Sequence, residues 1–163
     1  MQPKIKIPLT ITDKILEIIG VLLLLFFWVY TIYHYKELPE IIPTHFGAEG
    51  KPDGYGNKWT IFSLPAVSAI MYVGITIAIQ FPHRFNYLVT ITQENAEKQY
   101  LLVTRLFRIM KLTVLATFFL LDFQTIQIAL GQPDIFGRWF LLLVFAMIFV
   151  PLFYFLIQSS KNA

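Results

Sequence analysis

The chain alternates long uncharged blocks with short polar ones, and the blocks predict its elements. Only uncharged residues lie between Glu17 and Lys36. A second such run covers Trp59 to Phe81, a third Leu112 to Pro133 broken only by Asp122, and a fourth Trp139 to Ser160. Each approaches the roughly 20 residues that a helix needs to cross about 30 Å of hydrocarbon. Spans are therefore expected at about 15–35, 59–81, 112–132 and 139–158, with the whole chain, 1–163, forming one transmembrane domain. The first span ends in WVYTIYHY, bulky and aromatic where a cleavage site needs small residues, so it reads as an uncleaved helix. The expected fold class is all-α, an integral membrane four-helix bundle.

Two polar stretches connect these blocks. The inner one carries helical periodicity over about 92–111. Thr92 is a plausible N-cap, and Ala96, Tyr100, Val103, Phe107 and Met110 form an apolar stripe. Glu94, Glu97, Lys98, Arg105 and Arg108 gather opposite. This predicts an amphipathic helix against the inner leaflet or the base of the bundle, which bends or runs into the third span. It serves either as a simple support or as a docking surface for a cytoplasmic partner. The other stretch, a loop over 36–58, holds Pro39, Pro43, Pro52, Gly47, Gly50, Gly54 and Gly56, which forbid a regular helix and fit a compact series of turns. Asp53-Gly54 is a hairpin-type turn signal.

Composition agrees with a membrane protein. Of 163 residues, 56% are hydrophobic and 14% charged, against about 25% charged in an average soluble domain. Nine basic residues fall on one side (Lys4, Lys6, Lys14, Arg84, Lys98, Arg105, Arg108, Lys111, Lys161) and four on the other (Lys36, Lys51, Lys58, Arg138). The positive-inside bias then predicts both termini in the cytoplasm and the 36–58 loop outside, with Trp59 and Trp139 at the outer interface. There is no cysteine, which excludes disulfides, thiolate metal sites and thiol nucleophiles. No basic run suggests nucleic acid. P-loops, nucleophile elbows and HExxH pairs are absent, and a haem site would need better-placed histidines.

The string LPEIIPTHFGAEGKPDGYGNK, Leu38 to Lys58, resembles the LPxxIPxHFxxxGxxDxxGxK signature of a bacterial membrane domain family whose best-known members are SdpI-type immunity proteins. The matching positions are Leu38, Pro39, Ile42, Pro43, His45, Phe46, Gly50, Asp53, Gly56 and Lys58. The segment from Phe85 to Lys111 is also similar to the inner loop of small family members, with Asn86, Glu94, Asn95 and Arg105 as polar landmarks. The immunity proteins carry further membrane segments after this domain, so the resemblance bears on fold and topology ahead of an immunity role. It implies a bacterial cytoplasmic-membrane protein whose outer loop, through Pro43, His45, Phe46, Gly50, Asp53 and Gly56, recognises an extracytoplasmic or membrane ligand such as a peptide toxin.

Two groups of residues carry candidate chemistry. His45, Glu49 and Asp53 recur every four residues. In a folded loop they would either converge as nitrogen and oxygen ligands, zinc being the leading metal and His34 a further ligand, or simply cap turns. Asp122 lies roughly 15 Å into the third span, where a carboxyl needs protein or water beside it. Thr113, Thr117, Gln124, Gln127 and Gly131 share one face of that span and Asp122 points nearly opposite. Asp122, Gln124 and Gln127 are thus expected to contact a second membrane protein or another copy, unless the helix turns Asp122 into the bundle. Three functions follow: a non-enzymatic binding protein of immunity or sensing type without a cofactor, an accessory subunit of a larger membrane complex, and a metal-dependent membrane enzyme.

Overall fold

Helix α1 (Ile11–Tyr35) opens with a capping box in a computed structural model that describes residues 2–137 and 139–161. Arg138, counted above among the outer basic residues, lies outside the described residues. Thr10 Oγ1 accepts from the Asp13 amide at 3.2 Å, and Asp13 Oδ2 accepts from the Thr10 amide at 3.0 Å, which satisfies two of the amides that a helix start leaves without partners. The chain then forms an antiparallel hairpin of β1 (Ile41–Phe46) and β2 (Pro52–Asn57), a 3₁₀ turn over Lys58–Phe62, and α2 (Ser63–Ala78). Helices α3 (Ala96–Ala129) and α4 (Trp139–Lys161) complete it. The four helices form an up-and-down bundle with α3 packed against the other three, and both termini lie at the end opposite the hairpin.

Among the described residues three segments are long and apolar enough to cross a membrane: α1, Lys58–Ala78 and α4. Helix α3 takes one of the two courses expected for the inner helix and runs on into the third span. The inner helix and third span are one element of 34 residues, about 51 Å long at 1.5 Å per residue. No Gly or Pro occurs between Gln93 and Leu130, so nothing in the sequence stops the helix at residue 111. Its start is four residues later than expected. Thr92 and Asn95 form a reciprocal turn instead, the Thr92 amide donating to Asn95 Oδ1 at 2.9 Å and the Asn95 amide to Thr92 Oγ1 at 3.2 Å.

The interior is polar and the surface apolar, the reverse of a soluble bundle. Asp13, Thr31, Ser68, Gln99, Thr104, Arg108, Lys111 and Asp122 are buried, while Leu22, Ile70 and Val150 are more than half exposed. Lipid tails are as apolar as leucine, so helices in lipid are joined by packing and hydrogen bonds rather than by hiding hydrocarbon. The α3–α4 contact illustrates this. Gln99 Nε2 donates to the Ser159 carbonyl at 2.9 Å, and Ser159 Oγ returns a bond to Gln99 Oε1 at 2.7 Å. Higher up, Pro151 in α4 has no N–H for the Met147 carbonyl one turn back. Thr113 Oγ1 donates to that carbonyl at 3.3 Å, the kind of repair that lets proline sit inside a membrane helix. Pro65, by contrast, falls in the first turn of α2, where no helical hydrogen bond is lost, and so does not kink it. Small apolar clusters fill the remaining interior: Phe27, Tyr72 and Leu115 in the middle, and Leu38, Ile42, Ile61 and Ile126 beneath the hairpin.

Candidate functional site

The hairpin sits on the bundle through Ile42 and Pro43 of β1, which are both buried, Ile42 packing on Ile61 and Ile126, whereas Ile41, Thr44 and His45 are exposed. The register shifts beside His45 break the strict alternation of a regular strand. Its base is closed by the Lys58 amide donating to the Glu40 carbonyl at 2.9 Å and by a Lys58–Glu40 ion pair of 2.9 Å. The turn does not fall at Asp53-Gly54. That pair lies within β2, and the reversal occurs at Gly47–Lys51, where the Gly47 amide donates to the Lys51 carbonyl at 2.9 Å. Gly50 carries the left-handed conformation there, with φ of 80°, which costs a residue with a side chain about 1–2 kcal/mol. Gly56 is needed for a different reason: a Cβ on it would lie 2.9 Å from Thr44 Cγ2 on the facing strand.

The register shifts on both sides of His45, which pairs with Gly54. Such irregularities re-aim side chains, and here His45 Nδ1 meets Asp53 Oδ1 in a hydrogen bond with both side chains more than half exposed. The three-ligand set does not assemble. Among the described residues no group of three or more His, Cys, Asp or Glu is positioned to hold a metal ion. The strand geometry explains why: Asp53 lies beside His45 in the ladder, while Glu49 lies in the turn that joins the strands. His34, offered as a fourth ligand, instead pairs with Glu37 at 2.9 Å.

Two cavities adjoin the hairpin. One of about 310 Å³ is lined by Pro43, His45, Phe46, Thr60, Leu121 and Thr125 among others. The second, of about 220 Å³, lies between the Gly47–Gly50 turn, α3 and the loop before α4. Phe46 and Leu121 line both and form the partition between them. The floor of the second is held by Asp134, whose Oδ1 accepts from Gln124 Nε2 and from the Phe136 and Gly137 amides at 2.9 and 2.8 Å. Neither Asp134 nor Leu121 was singled out from the sequence. Asp134 carried one usable signal, an Asp three residues before a Gly in a short loop, which favours an Asx-type turn. Leu121 carried none, because its role arises only from the seating of the hairpin.

The other expected site residues are distributed as follows. Asp122 is fully buried, and its Oδ2 accepts from Thr31 Oγ1 of α1 at 2.8 Å, so contact with a second protein through this carboxyl would require α1 to leave. Gln124 is used by Asp134, and Gln127 Nε2 lies 3.5 Å from the Tyr30 hydroxyl. Asn86 and Glu94 are exposed and Asn95 donates to the Thr90 carbonyl at 3.0 Å. In the same connection the Tyr87 hydroxyl donates to the Pro82 carbonyl at 3.0 Å, and burial pushes this phenol's pKa up. Arg105 and Arg108 do not form an outward polar face. Both turn onto α1, Arg105 Nε lying 3.2 Å from Asp13 Oδ1 and Arg108 Nε 3.1 Å from Glu17 Oε1. Lys111 Nζ, fully buried, lies 2.6 Å from Glu17 Oε2 and 2.8 Å from Thr76 Oγ1. Arg108 and Lys111 are interior together with Ala96, Tyr100 and Val103 of the apolar stripe, because α1 brings two carboxylates to meet these cations, while Glu97 and Lys98 stay exposed.

These features define a small multi-pass membrane protein of four helices with a hairpin cap over one end. The domain of unknown function DUF1648 matches residues 22–69, from near the middle of α1 into α2, and so includes the hairpin. An uncharacterized protein of Archaeoglobus fulgidus is 30% identical over 167 residues, covering 94% of this chain and 90% of its own length. The chain belongs to the family of that archaeal protein. No solved structure matches it.

Proposed function

We propose that the protein is a non-enzymatic membrane receptor, with both termini in the cytoplasm, that captures an extracytoplasmic or membrane-borne peptide at the hairpin. One observation carries this reading: Phe46 stands between two cavities at the seam of hairpin and bundle, beneath the exposed His45–Asp53 pair. Such a seam offers apolar recesses for side chains and a few oriented polar groups at the rim, the usual composition of a ligand site. The charge asymmetry of the sequence favours the hairpin as the outer end. The SdpI-type resemblance over Leu38–Lys58 favours a peptide ligand and an immunity or sensing role.

The test is a photo-crosslinking amino acid at Phe46, with a control at Phe153, which is 59% exposed on α4. In native membranes the Phe46 probe should yield a discrete peptide or protein adduct that the Phe153 probe does not. Lipid adducts alone at both positions would overturn the proposal.

A further inference from the structure

The opposite end of the bundle holds a larger cavity, of about 550 Å³, between the N-terminal segment, the start of α1, the end of α2 and the inner part of α3. Its N-terminal wall is pinned: the Tyr100 hydroxyl donates to the Pro3 carbonyl at 2.9 Å and Gln2 Nε2 to the Phe85 carbonyl at 3.1 Å. The lining combines the apolar side chains of Ile7, Leu9 and Ile79 with the polar ones of Lys6, Asp13, Glu17, Thr76 and Arg108.

The charges around it do not balance. Lys6, Arg108, Asp13 and Glu17 line the cavity, and Arg105 and Lys111 stand behind it on the same two carboxylates, so that the network as a whole sets four cations against two anions. Arg108 is the key group. Its side chain is only 8% exposed, yet among the described residues its guanidinium donates a single hydrogen bond, from Nε to Glu17. Its Nη1 stays 3.8 Å from Asp13 Oδ1, outside hydrogen-bond reach. A nearly buried guanidinium with donors to spare is stabilised by an acceptor anion. The cavity also lies where α1 begins and α2 ends, the depth at which lipid headgroups meet a spanning helix, and basic pockets between membrane helices at that depth suit anionic headgroups.

We propose that this cavity binds the phosphate of an anionic phospholipid. Arg108 and Lys6 meet the phosphate, and the Ile7, Leu9 and Ile79 wall meets the glycerol and first methylenes. The apolar wall and a volume well beyond that of a phosphate ion distinguish a lipid from free phosphate. The site is separate from the hairpin and stands or falls independently of the peptide reading.

The experiment is native mass spectrometry of the full-length protein with phosphatidylglycerol and phosphatidylcholine of matched acyl chains. Phosphatidylglycerol should be retained preferentially. Lys6→Gln, on an exposed side chain outside the helices, should weaken its retention about fivefold and leave phosphatidylcholine unchanged. Arg108→Gln should abolish the preference, provided the melting temperature establishes that it is folded. Equal retention of the two lipids, no effect of Lys6→Gln, or displacement of the lipid by excess inorganic phosphate would each overturn the assignment.

Discussion

Glu17→Gln should destabilise the bundle more than any other single change of similar size. Glu17 Oε2 accepts from Lys111 Nζ at 2.6 Å and Oε1 accepts from Arg108 Nε at 3.1 Å. The Lys111 side chain has no exposure at all; besides Glu17 its partners among the described residues are Thr76 Oγ1 and the Tyr72 ring, whose centroid is 4.2 Å from Nζ. Loss of the Glu17 charge leaves three cations facing Asp13 alone. Removing one member of a buried ion pair costs about 3–5 kcal/mol, most of it the penalty of the charge left behind. The Glu17 side chain keeps 25% exposure and glutamine retains an acceptor oxygen, so about 3 kcal/mol, the lower end, is expected. For a chain of this length each kcal/mol moves the melting temperature by about 2–4 °C, which gives a drop of about 6–12 °C. The assay is thermal unfolding of the purified protein in one mild detergent, followed by circular dichroism. Lys111→Met removes the stranded ammonium, so Glu17→Gln with Lys111→Met should melt well above the sum of the single losses, with a coupling of about 1–3 kcal/mol. A Glu17→Gln melt equal to the parent, or strict additivity in the double variant, would refute the network as a source of stability.

Two further outcomes are expected. Gly50→Ala places a side chain at φ of 80° and a Cβ 2.8 Å from the Gly137 carbonyl; the turn should lift from the loop before α4, with about 1–2 kcal/mol lost locally. Limited proteolysis at 47–51 should quicken while helix content is unchanged, and an unchanged cleavage rate would count against this seating. The chain has no cysteine, so Glu49→Cys and Lys98→Cys report orientation cleanly. An impermeant maleimide should label the first in intact cells and the second only after permeabilisation, and the reverse pattern would invert the proposed topology.

Much of the architecture was written in composition. Lengths and charges of the uncharged runs located α1, α2 and α4, because a hydrocarbon layer of fixed thickness imposes a length that can be counted. The Pro and Gly content of 36–58 excluded a helix there, while the periodicity over 92–111 left open whether that helix bends or runs into the third span; with no Gly or Pro from 93 to 130 it runs on. Local chemistry thus determined where helices run and where they cannot. It could not determine which way α3 faces. By spacing alone Arg105 and Arg108 belong on a wetted surface; they turn inward because Asp13 and Glu17, ninety residues away, stand on the adjoining face of α1. Asp122 likewise reads as a group seeking a partner molecule until Thr31 is set beside it. The hairpin turn moved from Asp53-Gly54 to Gly47–Lys51 because burying Ile42 on Ile61 and Ile126 sets the register of β1, and register outweighs the preference of one dipeptide. Pairing in space is what decides the fate of a polar group in lipid, since an unpartnered one is costly there and its partner lies far away in the chain.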